Sequence, residues 1–294
     1  MSPRRWSLGV ALALSALAPA ARADDLPADA RATRERGYAA RARVDVAVTA
    51  GPSGEGVSSF AAATRLSGGY RFSGGFGLTA ALGFVGNAVS AEGQADRGGV
   101  RFGNALLGVD RALWLAPAFN LRAGLRVGAP LAVFPGGIAE NRLAELSFTQ
   151  AAVALGYRDP FVWEPNAVPI VLDLEGAWRA SRHLTVEARV APALLVSVNQ
   201  RPTRLALAAG ADAVLTVGPF VGHAGLSYFL RTLALENEHL DQLSAGLGAG
   251  VSIGAQRILL DATVALDAPY GIAVSGPRPS WGVALVADLR FARR

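Results

Sequence analysis

Between residues 204 and 217 every second side chain is apolar or small. Leu205, Leu207, Ala209, Ala211, Ala213, Leu215 and Val217 form one set, and Arg204, Asp212 and Thr216 lie in the other. Side chains of a strand alternate between its two faces, so a period of two predicts a strand with one oily side and one polar side. Gly218-Pro219 breaks the run, Phe220 to Arg231 forms the next stretch, and Leu243 to Ile253 alternates apolar residues with Ser and Gly. The face opposite the oily one carries charge and glycine where a packed sandwich would need a second hydrophobic layer. This repeated asymmetry constrains the fold more than any other feature of the chain.

The same pattern predicts strands at 41–50, 57–72, 76–84, 100–115, 119–131, 170–180, 184–199, 205–217, 220–233, 242–254, 258–267 and 281–292, twelve in all. In the fourth, Phe102 and Leu106 favour even positions, whereas Leu107, Val109, Leu113 and Leu115 favour odd ones. A β-bulge near Leu106 would account for the change of phase. Connections alternate in length: 73–75, 116–118, 181–183, 218–219 and 255–257 are short, and the others, including a polar loop at 87–99, are long. The longest, Pro135 to Pro169, predicts a helix over 139–156 stopped by Gly156, followed by the irregular aromatic segment Asp159 to Pro165. If Ser147 to Tyr157 were strand instead, the count would rise by two.

Hydrophobic residues make up 51% of the chain, yet no run past the N-terminal region reads as a membrane helix, because the best one contains Gly218-Pro219. Backbone in lipid must satisfy its own hydrogen bonds, which leaves a closed barrel as the membrane-spanning solution. The aromatic residues fit two interfacial belts. Tyr70, Phe72, Phe76, Trp114, Phe119, Trp178 and Phe220 lie near the short turns, and Phe60, Phe84, Phe102, Phe134, Tyr228, Tyr270 and Trp281 near the long loops. The expected architecture is therefore all-β: a closed antiparallel up-and-down transmembrane β-barrel of about twelve strands with one helix-bearing loop. An even strand number puts both ends on one side, with short turns periplasmic and long loops extracellular.

The N-terminus reads as an export signal: Arg4 and Arg5, an apolar stretch from Trp6 to Ala18, and Ala21-Arg22-Ala23 as a cleavage site. That divides the chain into a signal peptide at 1–23 removed after Ala23, a periplasmic segment at 24–40 and a barrel at 41–294. The alternative, an anchoring helix, is too short to span a bilayer and ends in Pro19. Cleavage also removes Arg4, Arg5 and Arg22 from a chain whose formal net charge is +5, which leaves it nearly neutral. There is no lysine, and the arginines are spaced along strands, so no nucleic-acid footprint is present. With no cysteine, disulfides, thiolate metal sites and an N-terminal lipid anchor on Cys are excluded.

In the last strand Trp281, Val283, Leu285, Ala287, Leu289 and Phe291 alternate toward a near-terminal Phe. This resembles the assembly signal of bacterial outer-membrane β-barrel proteins of the porin-like, small-solute channel type. In those proteins the aromatic residue usually comes last, whereas Ala292-Arg293-Arg294 follow it here. The resemblance implies a location in the bacterial outer membrane, contact with outer-membrane lipid, and insertion by the barrel assembly machinery with periplasmic chaperones.

The polar strand face supplies the functional candidates. An Arg at mid-membrane on the lipid side costs roughly 2–4 kcal/mol, so this face must line the lumen. It carries Arg65, Arg122, Arg126, Asp173, Glu175, Arg179, Glu187, Arg189, Asp212 and Asp261, besides Arg43, Asp45, Asp288 and Arg290. Such rings either tune solute selectivity or brace the interior as Arg–carboxylate pairs. The long insertion could fold inward as a constriction and bring Asp159, Trp163 and Glu164 against Arg122 and Arg126. It could equally cap the outside or meet a surface partner. Three scattered histidines lack metal-ligand spacing, and the glycine-rich pieces do not precede helices, so no metal or cofactor is expected. Catalysis would need His223 and Ser227, which stand about 13 Å apart along one strand. The expected function is a passive channel for small polar solutes through a charged lumen. The alternatives are a plugged structural or surface-interaction barrel and, behind it, a membrane lipid hydrolase.

Overall fold

The computed structural model describes residues 40–50, 57–72, 75–91, 97–116, 118–133, 138–198, 202–232, 239–266 and 281–291. The export signal, the segment before residue 40, Phe134 and Tyr270 lie outside the described residues. The strands are β1 (Ala40–Ala50), β2 (Val57–Arg71), β3 (Phe76–Ala91), β4 (Arg97–Phe102), β5 (Ala105–Ala116), β6 (Phe119–Ala129) and β7 (Ala167–Arg179). They continue as β8 (Leu184–Ser197), β9 (Arg204–Val217), β10 (Phe220–Thr232), β11 (His239–Ile253), β12 (Gln256–Ala265) and β13 (Trp281–Phe291). Each pairs antiparallel with its neighbours, and β1 pairs with β13 from Ala40↔Phe291 to Ala50↔Trp281, which closes the sheet on itself. The result is a closed twelve-strand up-and-down barrel, because β4 and β5 together occupy one position in the wall.

The two faces sort as the period of two requires. Val46, Leu66, Leu78, Val109, Leu125, Leu172, Leu205, Leu247, Leu260 and Leu285 point outward and are exposed, while Asp45, Ala47, Ala63, Arg65, Asp173, Asp261 and Val286 point inward and are buried. An apolar surface running right round the molecule would be far larger than a soluble monomer tolerates, and hydrocarbon is the solvent that suits it. Tyr70, Phe72, Phe76, Phe220 and Phe291 are exposed near the short-turn end, and Phe60, Phe102 and Trp281 near the long-loop end. The rings of Tyr70 and Phe72 meet edge-on at 5.0 Å, and the Arg111 guanidinium lies 5.0 Å from the centre of the Phe76 ring.

The predicted change of phase is real but sits slightly earlier. β3 pairs Phe84 with Phe102 and then Ala81 with Leu106, a one-residue shift across Gly103 and Asn104, which are both buried. The expected polar loop at 87–99 is shorter than its composition suggests, since β3 runs to Ala91 and β4 starts at Arg97. The reason is that Asn87 faces inward, where its Oδ1 accepts a hydrogen bond of 2.9 Å from Arg101. Polar residues that read as loop belong to the lumen.

The long insertion turns into the barrel. Helix α1 (Ile138–Ala154) packs against β1, β2, β3, β12 and β13, and a 3-10 turn (Pro160–Trp163) packs against β3. Phe148, Ala151, Val153, Ala154, Phe161, Val162 and Trp163 are all buried, so the helix is covered on several sides and not on a single stripe. Gly156, at φ +65°, stops it: Gly156 N–H donates to Val153 and Tyr157 N–H to Ala152, which closes the helix end with the backbone alone. Ser147 to Ala154 is helix, so the strand count stays at twelve.

Candidate functional site

The interior is built by two partners, the inner wall and the inserted segment from 138 to 166. The wall makes room for the insert with small residues. A Cβ on Gly83 would lie 2.7 Å from Val162, a Cβ on Gly282 would overlap Ala154, and Ala47, Ala61 and Ala63 are buried nearby. At the strand break, Asn104 replaces the missing ladder. Its backbone N–H donates to Val162 (2.6 Å), its Nδ2 to Glu164 (2.6 Å) and Phe161 (3.3 Å), and its Oδ1 accepts from Ala132 N–H (3.3 Å). One fully buried amide therefore satisfies an irregular segment that could not otherwise enter an apolar interior.

Polar side chains fasten the insert around the wall. Gln150 donates to Ser59 of β2 (2.7 Å), Arg101 of β4 to Ser147 (3.3 Å), Ser227 of β10 to the Gly156 carbonyl (2.8 Å), and Thr263 of β12 to the Val153 carbonyl (2.9 Å). Ion pairs do the same. Asp159 binds Arg126 at 2.7 Å and lies 4.0 Å from Arg189, Glu164 binds Arg231 at 3.1 Å, and Arg158 binds Asp261 at 2.8 Å. Arg126 and Arg189 also both hold Asp173 of β7, so the wall and the insert share one charge network. Below it Arg122 pairs with Glu175 (2.8 Å) and approaches Asp110 (3.8 Å), which also takes Arg71 (3.1 Å). Asp45 is clasped by Arg65 and Arg43, each at 2.8 Å.

Burial alone would raise the Asp159 carboxyl. The guanidinium groups of Arg126 and Arg189 outweigh that and hold it below the ordinary carboxylate range. Asp159 is thus an ionised anchor between arginines.

All ten lumen candidates lie on the inward phase of their strands. Their surroundings differ. Arg65, Arg126, Asp173 and Asp261 are buried against the insert, while Arg122, Glu175, Arg179, Arg189 and Asp212 are half-buried and Glu187 is exposed. Arg179 and Glu187 form no ion pair among the described residues. The inward side chains toward the long loops are therefore buried beneath the insert, and those of the short-turn half line a more exposed vestibule. The insertion residues were expected against Arg122 and Arg126, and the structure distributes them more widely. Asp159 takes Arg126 and Arg189, and Glu164 crosses to Arg231 on β10. Trp163 packs near Phe148 with ring centroids 6.1 Å apart, and its ring fills the space over Gly83.

Sequence reasoning missed Asn104, Arg158 and Arg231. Only the phase change around Asn104 pointed to any of them. His223 Nε2 donates to Asp261 (2.7 Å), with Arg158 3.2 Å from the same ring nitrogen and Asp212 3.7 Å from Nδ1. Ser227 is committed to the insert backbone, so the histidine and the serine that a hydrolase would need do not meet. Between insert and β10 a cavity of about 40 Å³ is lined by Phe148, Tyr157, Trp163, Glu164, Phe229 and Arg231. It has room for ordered water and little more.

No protein-family model matches the sequence, and no curated protein matches it. Solved structures do. An outer membrane channel from Pseudomonas putida F1 matches with a TM-score of 0.55 at 14% identity, covering 90% of this chain and 99% of that one. The fold is the closed up-and-down β-barrel that this neighbour also has. The NanC porin matches with a TM-score of 0.50 at 10% identity over 85% of this chain and 98% of its own. Both matches span nearly the whole length of the neighbour, so the likeness extends along the barrel wall from β1 to β13. At such identities the likeness concerns the wall, and what fills it is read from this chain alone.

Proposed function

We propose that this chain is an outer-membrane channel for small polar solutes, and that its own inward-folded segment sets how much it passes. The observation that carries the reading is the docking of that segment through ionic and hydrogen-bonded contacts to β2, β4, β6, β10 and β12. A permanent core is most cheaply built from apolar side chains, since buried ion pairs gain little net stability over hydrophobic replacements. Polar docking suits a segment that leaves and returns, because the same groups can be solvated when it moves. The vestibule at the short-turn end would face the periplasm and the long loops the exterior, with lipid around the oily face and biogenesis through the assembly machinery. The transport step is diffusion past charged side chains, and no reaction is assigned to the chain.

The experiment is planar-bilayer recording of the purified barrel and of a variant in which residues 138–163 are replaced by a short Gly/Ser linker. The wild type should show brief or small conductance steps, and the variant larger and lasting ones. A folded variant without conductance would sink the channel reading. A second reading, a permanently plugged barrel, draws on the complete burial of Phe161 and Val162. It requires a silent wild type beside a conducting variant.

A further inference from the structure

Arg43, Arg65, Arg126, Arg189 and Arg290 all sit on the inward phase of their strands. Arg111 of β5 does the opposite. It shares the outward phase with Leu107, Val109, Leu113 and Leu115 and is exposed among them. Its neighbour Asp110 points inward, where it takes Arg71 at 3.1 Å and approaches Arg122 at 3.8 Å. Arg111 forms no ion pair and no hydrogen bond among the described residues. Its guanidinium lies over the Phe76 ring, 5.0 Å from the ring centre. The ladder fixes this arrangement: Arg111 pairs with Phe76 on one side and Ala123 on the other, with Leu174 beyond. Phe76 opens β3, and the turn before it is tied to β5 by Ala112 N–H donating to the Gly75 carbonyl (3.0 Å). Phe72 N–H donates to the Phe76 carbonyl (2.7 Å), and Tyr70 meets Phe72 edge-on, so the cation is set within the short-turn aromatic belt. An outward arginine is costly at the bilayer midplane and costs little near the interface. Beside it Ala123 carries one methyl where Leu125 and Leu174 carry bulk, which leaves a shallow recess in the oily face.

We infer that Arg111 and Phe76 hold the phosphate of a membrane lipid in the leaflet on the short-turn side, and that the site prefers a net-anionic headgroup to a zwitterionic one. The aromatic ring takes one face of the guanidinium by a cation–π contact. The N–H donors lie in the guanidinium plane, so they stay available to fork onto two phosphate oxygens. A zwitterionic headgroup brings its own ammonium to that phosphate and competes with the arginine, whereas a net-anionic headgroup does not. A cation with no carboxylate of its own therefore discriminates between the two. The lipid's acyl chain lies over Ala123, in the recess beside the cation. The site belongs to the outer surface, and it is independent of whether the barrel conducts.

The test is native mass spectrometry of the purified barrel in detergent, titrated with dioleoyl phosphatidylglycerol. The wild type should bind a first lipid saturably. Arg111→Gln should weaken that binding about tenfold, as the loss of a charge-assisted hydrogen bond does, and Phe76→Leu should weaken it less. Dioleoyl phosphatidylethanolamine should bind wild type and Arg111→Gln equally weakly. Inorganic phosphate at the same concentration should leave the bound lipid in place, because it lacks the chain that lies over Ala123. Displacement by inorganic phosphate would show a site for free phosphate and overturn the lipid assignment. Equal phosphatidylglycerol binding by wild type and Arg111→Gln, or equal binding of the two lipids by the wild type, overturns the proposal outright. Heat-dependent mobility on SDS gels checks that each variant is a folded barrel, and Arg111→Gln breaks no ion pair of the wall.

Discussion

Replacing Asp159 by Asn isolates the contact through which the insert and the wall share charge. The asparagine keeps the shape and one acceptor but removes the negative charge that meets Arg126 at 2.7 Å and Arg189 at 4.0 Å. Breaking a buried ion pair outright costs about 3–5 kcal/mol, because the surviving charge is stranded. Here neither arginine is stranded, since both retain Asp173. The loss should resemble that of one hydrogen bond to a charged group, about 2 kcal/mol. Asp173 belongs to β7 and Asp159 to the insert, so the loss falls on docking and not on the wall. At 1.4 kcal/mol per factor of ten, the undocked population should rise about 30-fold. Single-channel recording measures that as a gain in open time. Heat-dependent mobility on SDS gels checks that the barrel still unfolds at the same temperature. An unchanged open time in a folded variant would refute the idea that this pair holds the insert in place. A lowered unfolding temperature without a change in open time would assign the pair to the wall.

Acidification gives a related expectation with a definite sign. The Asp159 carboxyl titrates below its unfolded value of about 3.9, so its contribution is complete above that value and is lost as pH falls through the depressed folded one. Open time governed by Asp159 should therefore stay level from neutral pH down to about 5, and a rise in that interval that vanishes in Asp159→Asn would contradict this. Gly83→Leu should press on Val162 and Trp163, at about 1–3 kcal/mol for overpacking, and increase conductance in bilayers while the strand ladder remains intact by infrared spectroscopy. Asn104→Ala should leave the Phe161 and Glu164 carbonyls without their donor, at a cost of about 1–3 kcal/mol per buried group, read as protease cleavage within 155–166 that the wild type resists. Equal resistance in the variant would show that the strand break does not depend on this amide.

How far each feature could be read from the sequence depends on the range of the interaction behind it. The faces of β9 or β13 are legible because a period of two is local and because lipid on one side forbids the charges that the lumen accepts. The helix stop at Gly156 is legible for the same reason, being settled within five residues. Asn87 was misjudged because a polar residue near a loop and a polar residue facing the lumen look alike until Arg101 is placed on the neighbouring strand, one pair away. The partner of Glu164 was out of reach altogether. Arg231 lies 67 residues away, and nothing local prefers it to Arg122 or Arg126. What the sequence does show is that every basic side chain is arginine. A planar guanidinium can hold two carboxylates at once, as Arg126 holds Asp159 and Asp173, whereas a lysine ammonium is a single hydrated point charge. An interior in which wall and insert compete for the same cations needs that fork. The all-arginine composition therefore carried information about a shared network before any of its members could be paired.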